Sequence, residues 1–314
     1  MAKLVAVTGA TGFVGAHLVR RLADSGWTIR ILTRRMPTAA LVPNATLDLV
    51  LGDLDDQAAL RRLVSGADAV VHLAGIVKAL RPADFQRVNV QGTRNVVEAL
   101  SAAAPRSRLI HISSLAAREP RLTPYGASKR AGEDVIATIA DRQAVTIFRP
   151  PAIYGPGDRE ILPMFQAARR GFCPYPGPKG MRLSLIHIAD LVAAIATAVD
   201  QPSSPERLYE IDDGHPGGYG WAEIADALST AVGRRVRRLH VSPALMWGVA
   251  GLAELRRAVG GEVTVLCFAK LPDLHHPDWV VHGPGFEGWK PAFDLASGFR
   301  DTIAWYARRH WLSA

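Results

Sequence analysis

The chain has 314 residues, 48% hydrophobic and 21% charged, a globular rather than disordered composition with length enough for two domains or one large α/β unit. Its 37 Lys and Arg against 29 Asp and Glu leave a net charge of +8, so nucleic acid, an anionic membrane and a phosphorylated ligand all enter as partners for the motifs to choose among. Two cysteines, Cys173 and Cys267, are too few for a disulfide framework and stand in no metal-ligand spacing, which makes a reducing cytoplasm the expected setting, with no metal.

In chain order, the first residues run into a strand pattern over 3–8, with no signal-peptide pattern. Further strands are predicted over 28–33, 47–51, 69–73, 108–113 and 145–149, with helices near 13–25, 57–64, 84–103 and 124–141 between them. Continuous apolar strands separated by amphipathic helices imply an α/β fold, a doubly wound parallel sheet covered on both faces. Past Tyr154 the alternation loosens and Pro/Gly punctuation increases, with helices expected near 189–200, 222–232, 243–258 and 295–310. The expected division is 1–154 for dinucleotide binding and 155–314 mainly for substrate, a smaller α+β domain partly interleaved with the first. No apolar run reaches the ~18 residues that argue for a membrane span.

Thr8-Gly9-Ala-Thr11-Gly12-Phe13-Val14-Gly15 follows a strand and opens a helix. In that order glycines let the backbone approach a pyrophosphate, and the helix N-terminus offers it N–H groups. The second strand ends Thr33-Arg34-Arg35, with no Asp or Glu between Asp24 and Asp48. Such an arginine pair either suits a 2′-phosphate, making NADP the preferred cofactor and NAD the alternative, or is solvated loop charge. Asp53, ahead of Leu54, either accepts from an adenine amine or is an acid at a helix N-terminus before Asp55-Asp56-Gln57. Tyr125 and Lys129 lie four apart, on one face of a helix that Thr123 caps and Pro124 starts. An ammonium one turn away lowers a phenol's pKa toward neutrality. Ser113-Ser114, ending the preceding strand, either supply a hydroxyl to orient a carbonyl or merely terminate the strand.

The glycine turn, Asp53-Leu54, His72-Leu73-Ala74-Gly75, Asn89-Val-Gln-Gly-Thr93, Ser113-Ser114, Tyr125-x-x-x-Lys129 and Arg149-Pro-Pro-Ala152-Ile-Tyr-Gly-Pro-Gly-Asp158 occur in one order. With Leu185-Ile-His187-Ile-Ala-Asp190 and Trp305-Tyr306, they resemble an extended short-chain dehydrogenase/reductase of the NAD(P)-dependent epimerase/dehydratase family over most of the chain. The resemblance implies a Rossmann fold, Tyr125 as general acid/base, Lys129 binding the nicotinamide ribose and tuning Tyr125, and Ser114 orienting the substrate oxygen. It further implies backbone at Leu73, Ala74 and Gly75 along the cofactor and the segment after Arg149 beside the nicotinamide. Asn89 would support the helix near Lys129, and a homodimer would form through the helices of Asn89 and Tyr125. His72, His111 and His187, in apolar strands, are expected to be satisfied core histidines.

The pattern also departs from the family. Ser114 and Tyr125 are 11 residues apart, a short connection that predicts a trimmed loop with an open pocket or a serine role shared with Ser113. Nucleotide-sugar members often carry a diphosphate-contacting arginine four residues before the strand histidine, where this chain has Leu183; Arg182 is one residue off, and on a strand that reverses the face. Ala152 stands where those members often have Asn, and the run from Arg149 looks more like 3β-hydroxysteroid dehydrogenases and dihydroflavonol reductases.

The expectation is an NADP(H)-preferring oxidoreductase interconverting a secondary alcohol and a ketone on a small, non-nucleotide substrate. A nucleotide-sugar epimerase or dehydratase and a noncatalytic NAD(P)-binding subunit or sensor are the rival readings. No motif organises the basic residues for nucleic acid. Arg234-Arg-Val-Arg-Arg238 reads as a solvated edge strand ahead of an anion patch. Ser242–Leu255 reads as a buried or partner-facing helix, too short to span a membrane, with rest on a membrane surface as the alternative. Met164, Phe165, Phe172, Met246 and Trp247 are expected as ordinary core ahead of pocket lining.

Overall fold

Short runs rich in Val, Ile and Leu, stiff at χ1 and apolar on both faces, form the strands of a parallel sheet. The computed structural model describes residues 3–36, 47–79, 81–201, 207–258 and 271–312, so Cys267 lies outside the described residues. The chain runs β1 (Leu4–Thr8), α1 (Phe13–Asp24), β2 (Thr28–Thr33), β3 (Leu47–Leu51), α2 (Gln57–Val64), β4 (Ala69–His72) and α3 (Pro82–Phe85). A π-helical turn (Gln86–Gln91) leads into α4 (Gly92–Ala103) and β5 (Arg108–Ile112); a 3₁₀ turn (Leu115–Arg118) then precedes α5 (Pro124–Ala137) and β6 (Val145–Arg149). Next come β7 (Ala152–Tyr154), α6 (Leu162–Arg169), β8 (Phe172–Tyr175), β9 (Arg182–Leu183), β10 (Leu185–His187), α7 (Ile188–Asp200) and β11 (Leu208–Glu210). The last elements are β12 (Tyr219–Gly220), α8 (Trp221–Val232), β13 (Arg237–His240), α9 (Pro243–Ala258), α10 (Leu271–His275), β14 (Asp278–Trp279) and α11 (Leu295–Arg308).

Seven strands pair in the order β11-β6-β5-β4-β1-β2-β3, all parallel. Strand order reverses between β1 and β4, whose carboxyl ends stand side by side with Thr8 opposite His72. A doubly wound sheet opens its ligand crevice at that point. Leu60 and Leu63 of α2, Val96 and Leu100 of α4 and Ile136 of α5 pack with Val70 and Leu109 in one buried cluster.

The chain forms two compact units, the first comprising Met1–Arg149, Val192–Glu210 and Pro284–Trp289. Its first segment closes with β6 at Arg149, after which β7 pairs with β10, Ile153 opposite Ile186. The second unit, Pro150–Leu191, Ile211–Gly283 and Lys290–Ala314, has an aromatic core in which Phe299 meets Tyr154 and Phe165 edge to face at 5.3 and 5.1 Å.

Candidate active site

Gly9 leaves β1 with φ +73°, and a Cβ on it would stand 2.7 Å from the amide nitrogen of Ala74, so the turn after β1 passes the backbone after β4 only as glycine. Gly12 caps α1 with no side-chain hydrogen bond, and the first turn contains no acid. The amides and positive dipole end of α1 therefore suit an anion. A Cβ on Gly15 would collide with the carbonyl oxygen of Gly9, so α1 lies directly against the turn.

This turn forms one wall of a cleft of about 380 Å³, to which it contributes Gly9, Thr11 and Gly12. Arg34 enters from the end of β2, Asp53 and Leu54 follow β3, and Leu73, Ala74 and Gly75 follow β4. Phe13, Val14 and Gly15 are not in the lining; Phe13 instead meets His17 edge-on within α1, at 5.7 Å. Leu32, Gly52, Asp55, Ile76, Arg87 and Val88 also line the cleft and escaped the motif reading. Arg87 and Val88 arrive on the π-helical turn, which a 3.6-residue period does not predict. The glycine approach, the uncapped helix end and the flanking loops fit a dinucleotide.

Of the arginine pair, Arg34 lines the cleft and Arg35 does not. The hydroxyl of Thr33 donates to the carbonyl of Arg35 at 2.5 Å and turns the chain there. Asp53 accepts from the amide of Asp55 at 2.9 Å, and it is Asp56 that caps α2, accepting from Ala59 N at 2.9 Å. Asp53 thus lies three residues before the cap of α2 and also lines the cleft.

Ser114, Tyr125 and Lys129 sit outside that lining, around the start of α5. Thr123 caps the helix, its hydroxyl accepting from Gly126 N at 3.1 Å, and Pro124 occupies the first turn. A Cβ on Gly126 would stand 2.7 Å from the carbonyl of Ala116, so α5 abuts the 3₁₀ turn that Ser114 caps. That single turn takes up the short connection and brings Ser114 and Tyr125 to adjoining turns. Tyr125 is half-buried, its ring 6.0 Å from that of Phe85. Lys129 is buried, with Nζ donating to the carbonyl of Ile112 at 2.6 Å. Burial lowers its ammonium from 10.5 to about 8, with the Glu133 carboxylate acting in the opposite direction.

Asn89, on the π-helical turn, ties these parts together. Its Oδ1 accepts from Ile76 N at 2.8 Å, and its Nδ2 donates to the carbonyl of Ile76 at 3.0 Å and to Ser128 Oγ at 2.9 Å. The Ser128 hydroxyl donates in turn to the carbonyl of Tyr125 at 2.8 Å. Below α5 lies a buried ionic group that the motif reading missed. Glu133 accepts from Ser113 Oγ at 2.5 Å and from Arg149 Nε and Nη2 at 2.8 and 2.5 Å, and Arg149 also meets Glu210 at 3.4 Å. The available signal was Glu133 four residues after Lys129. Ser113 is thereby committed to Glu133, whereas Ser114 stays half-exposed.

His72 is satisfied, with Nδ1 against Thr8 Oγ1 at 2.7 Å and Nε2 against Thr93 Oγ1 at 3.0 Å, and burial pushes it down to about 3. His187 stacks on Phe293 at 4.0 Å in the second unit's core. His111 corrects the expectation of a satisfied histidine: neither ring nitrogen has a partner among the described residues, and burial holds it neutral. Also in the second unit, Phe165 and Met246 are buried but Phe172 and Trp247 are exposed, so those two are not core. Arg182 is held by the carbonyls of Gly217 and Gly218, both at 2.5 Å, and by Glu223 at 3.3 Å. No helix of the described residues is long and apolar enough to cross a membrane.

Comparison with known proteins sharpens this picture. The chain is 39% identical over 310 residues to the ceramide reductase of Caulobacter vibrioides, covering 98% of this chain and 96% of that protein. It is 30% identical over 277 residues to sterol demethylase protein B of Methylococcus capsulatus, covering 79% and 80% of the two chains. Its fold matches that of the Bordetella bronchiseptica enzyme WbmG, solved with NAD and UDP, with a TM-score of 0.73 at 20% identity over 99% of this chain and 96% of that one. A model of the NAD dependent epimerase/dehydratase family matches residues 5–211. The chain therefore belongs to that family and is an NAD(P)-dependent oxidoreductase or epimerase.

Proposed function

We propose that the protein is an NADPH-preferring reductase that converts a ketone of a ceramide-type lipid to its secondary alcohol, with Tyr125 as general acid. The observation that carries this reading is the 39% identity to a ceramide reductase along nearly the whole of both chains. A ceramide is an N-acylated long-chain amino alcohol, so reduction at a secondary hydroxyl position starts from the corresponding ketone. Such a substrate is non-nucleotide, as expected, but longer than the small molecule anticipated from the motifs.

The nicotinamide, when bound, supplies the hydride. Ser114 and Tyr125 then donate hydrogen bonds to the ketone oxygen, and Tyr125 gives up its proton as charge develops there. Lys129, anchored on the carbonyl of Ile112, favours the phenolate that remains. The engagement of Ser113 by Glu133 supports Ser114 in the orienting role. Arg34 in the cleft, with no acid at the end of β2, supports a 2′-phosphate and hence NADPH. Leu183 and Ala152, together with an Arg182 already engaged by Gly217, Gly218 and Glu223, count against a nucleotide sugar.

The test is turnover of the oxo form of a ceramide, dispersed in detergent, with NADPH or NADH. One alcohol should form per NADPH oxidised, faster than with NADH. Tyr125→Phe should lower kcat by about 10²- to 10⁴-fold while cofactor binding persists. Undiminished turnover in that variant, or conversion of a UDP-sugar without net cofactor oxidation, overturns the reading.

A further inference from the structure

The second unit carries exposed apolar and basic residues that the reaction does not use. α9 has no charge from Pro243 to Ala253, a pattern that belongs to a buried helix, yet Leu245 and Trp247 are 58% and 55% exposed and Val249 is exposed beside them. Leu245 and Val249, four apart, share one side of the helix, while Trp247 projects from another. Met246 faces inward, into a small cluster with Leu271. In the same unit β13 pairs in parallel with β8, Arg237 opposite Phe172, and all four of its residues are exposed, including Leu239 at 54%.

The sequence that carries this surface has charge of one sign. No Asp or Glu occurs between Asp226 and Glu254, whereas Arg234, Arg235, Arg237 and Arg238 all do. Arg234 donates to the carbonyl of Arg169 at 2.8 Å. Arg235, Arg237 and Arg238 are exposed and have no ion pair among the described residues. Exposed apolar side chains, one of them tryptophan, beside unpaired arginines suit the boundary between acyl chains and anionic headgroups. A protein groove would take one face of a helix, whereas here apolar side chains project from more than one side.

We infer that the start of α9 and strand β13 form a docking surface for anionic lipid bilayers. The inference goes beyond the proposed reaction and does not rest on it. The test is sedimentation of the whole protein with vesicles of phosphatidylcholine, with or without phosphatidylglycerol. The protein should pellet with the anionic vesicles, and high salt should release most of it. R237E/R238E should lower partition by more than about tenfold, since each arginine near such a surface contributes about a fivefold factor. L245S/W247S should abolish binding. NADPH affinity, measured on the same samples, should stay unchanged and so report folding. Absence of pelleting by the wild type, or variants that pellet as it does, overturns the inference. So does a dimer in light scattering that L245S/W247S disperses with no vesicle binding at any stage. Turnover with detergent-dispersed substrate is read separately, so loss of either conclusion leaves the other standing.

Discussion

Lys129 is the residue where the fold works against a charge. Its ammonium is buried, reaches one carbonyl, and is lowered from 10.5 to about 8 by desolvation. In the unfolded chain the same group titrates near ~10.4. Between those values the unfolded state binds the proton that the native state has released, so this residue's contribution makes stability rise with pH across that window. Below about pH 8 the full penalty of a buried charge is present. Lys129→Met removes the titration and leaves the carbonyl of Ile112 unpaired, a loss that does not depend on pH. Thermal melts of the two proteins should show the variant's advantage, or smallest deficit, below pH 8, with the wild type gaining on it steadily toward pH 10.5. A difference in Tm that stays flat over that range would contradict a desolvated ammonium here. Activity should move the other way, because the protonated form tunes the phenol of Tyr125 in the proposed mechanism.

At the scale of elements, the π-helical turn between α3 and α4 is where local pattern and structure part. Amphipathic spacing predicts one helix over 84–103, but six residues, Gln86–Gln91, widen the turn and carry Asn89 to Ile76 and Ser128. Those partners lie 13 and 39 residues away, and no window of local sequence contains them. Asn89→Ala should cost about 1–3 kcal/mol, read from the urea midpoint at constant slope, because it strips the half-buried N–H and C=O of Ile76 of their shared partner and removes the hydrogen bond that Ser128 Oγ accepts. It should also weaken cofactor binding, since Gly75 and Ile76 line the cleft. An unchanged midpoint would mean the turn holds without its asparagine. Features that depend on neighbours in sequence were legible beforehand: the Thr123 cap, the Pro124 start, the strand ending in the glycine turn, and β2, β3, α2 and β6 at their observed bounds. Long-range partners were not. Burial of His111 followed from its apolar strand, but its lack of a partner did not, and Ser113 looked equivalent to Ser114 until Glu133 arrived 20 residues later.

For the whole molecule, an excess of eight positive charges does not say whether the anions it meets are attracted by the total or by placed groups. The two units make the distinction measurable, because each has its own core and its own cationic feature. In the first, Arg34 and Arg87 line the cleft, Arg87 only loosely engaged with Asp55 at 3.5 Å. In the second, exposed Arg237 and Arg238 lie on β13, the strand that precedes the exposed apolar residues of α9. Substitutions at exposed sites that share no partners act nearly independently. Arg34→Ala should therefore weaken NADPH by about 10- to 100-fold, the worth of a charge-assisted hydrogen bond, with little effect on NADH and vesicle partition unchanged. R237E/R238E should reverse that pattern, although it alters net charge more. Both interactions should weaken as salt shortens the screening length from ~10 Å at 0.1 M to ~3 Å at 1 M, NADPH more than NADH because it carries the additional phosphate. If instead R237E/R238E lowered NADPH affinity more than Arg34→Ala, total charge would govern both events, and neither Arg34 nor the basic strand could be assigned a specific anion.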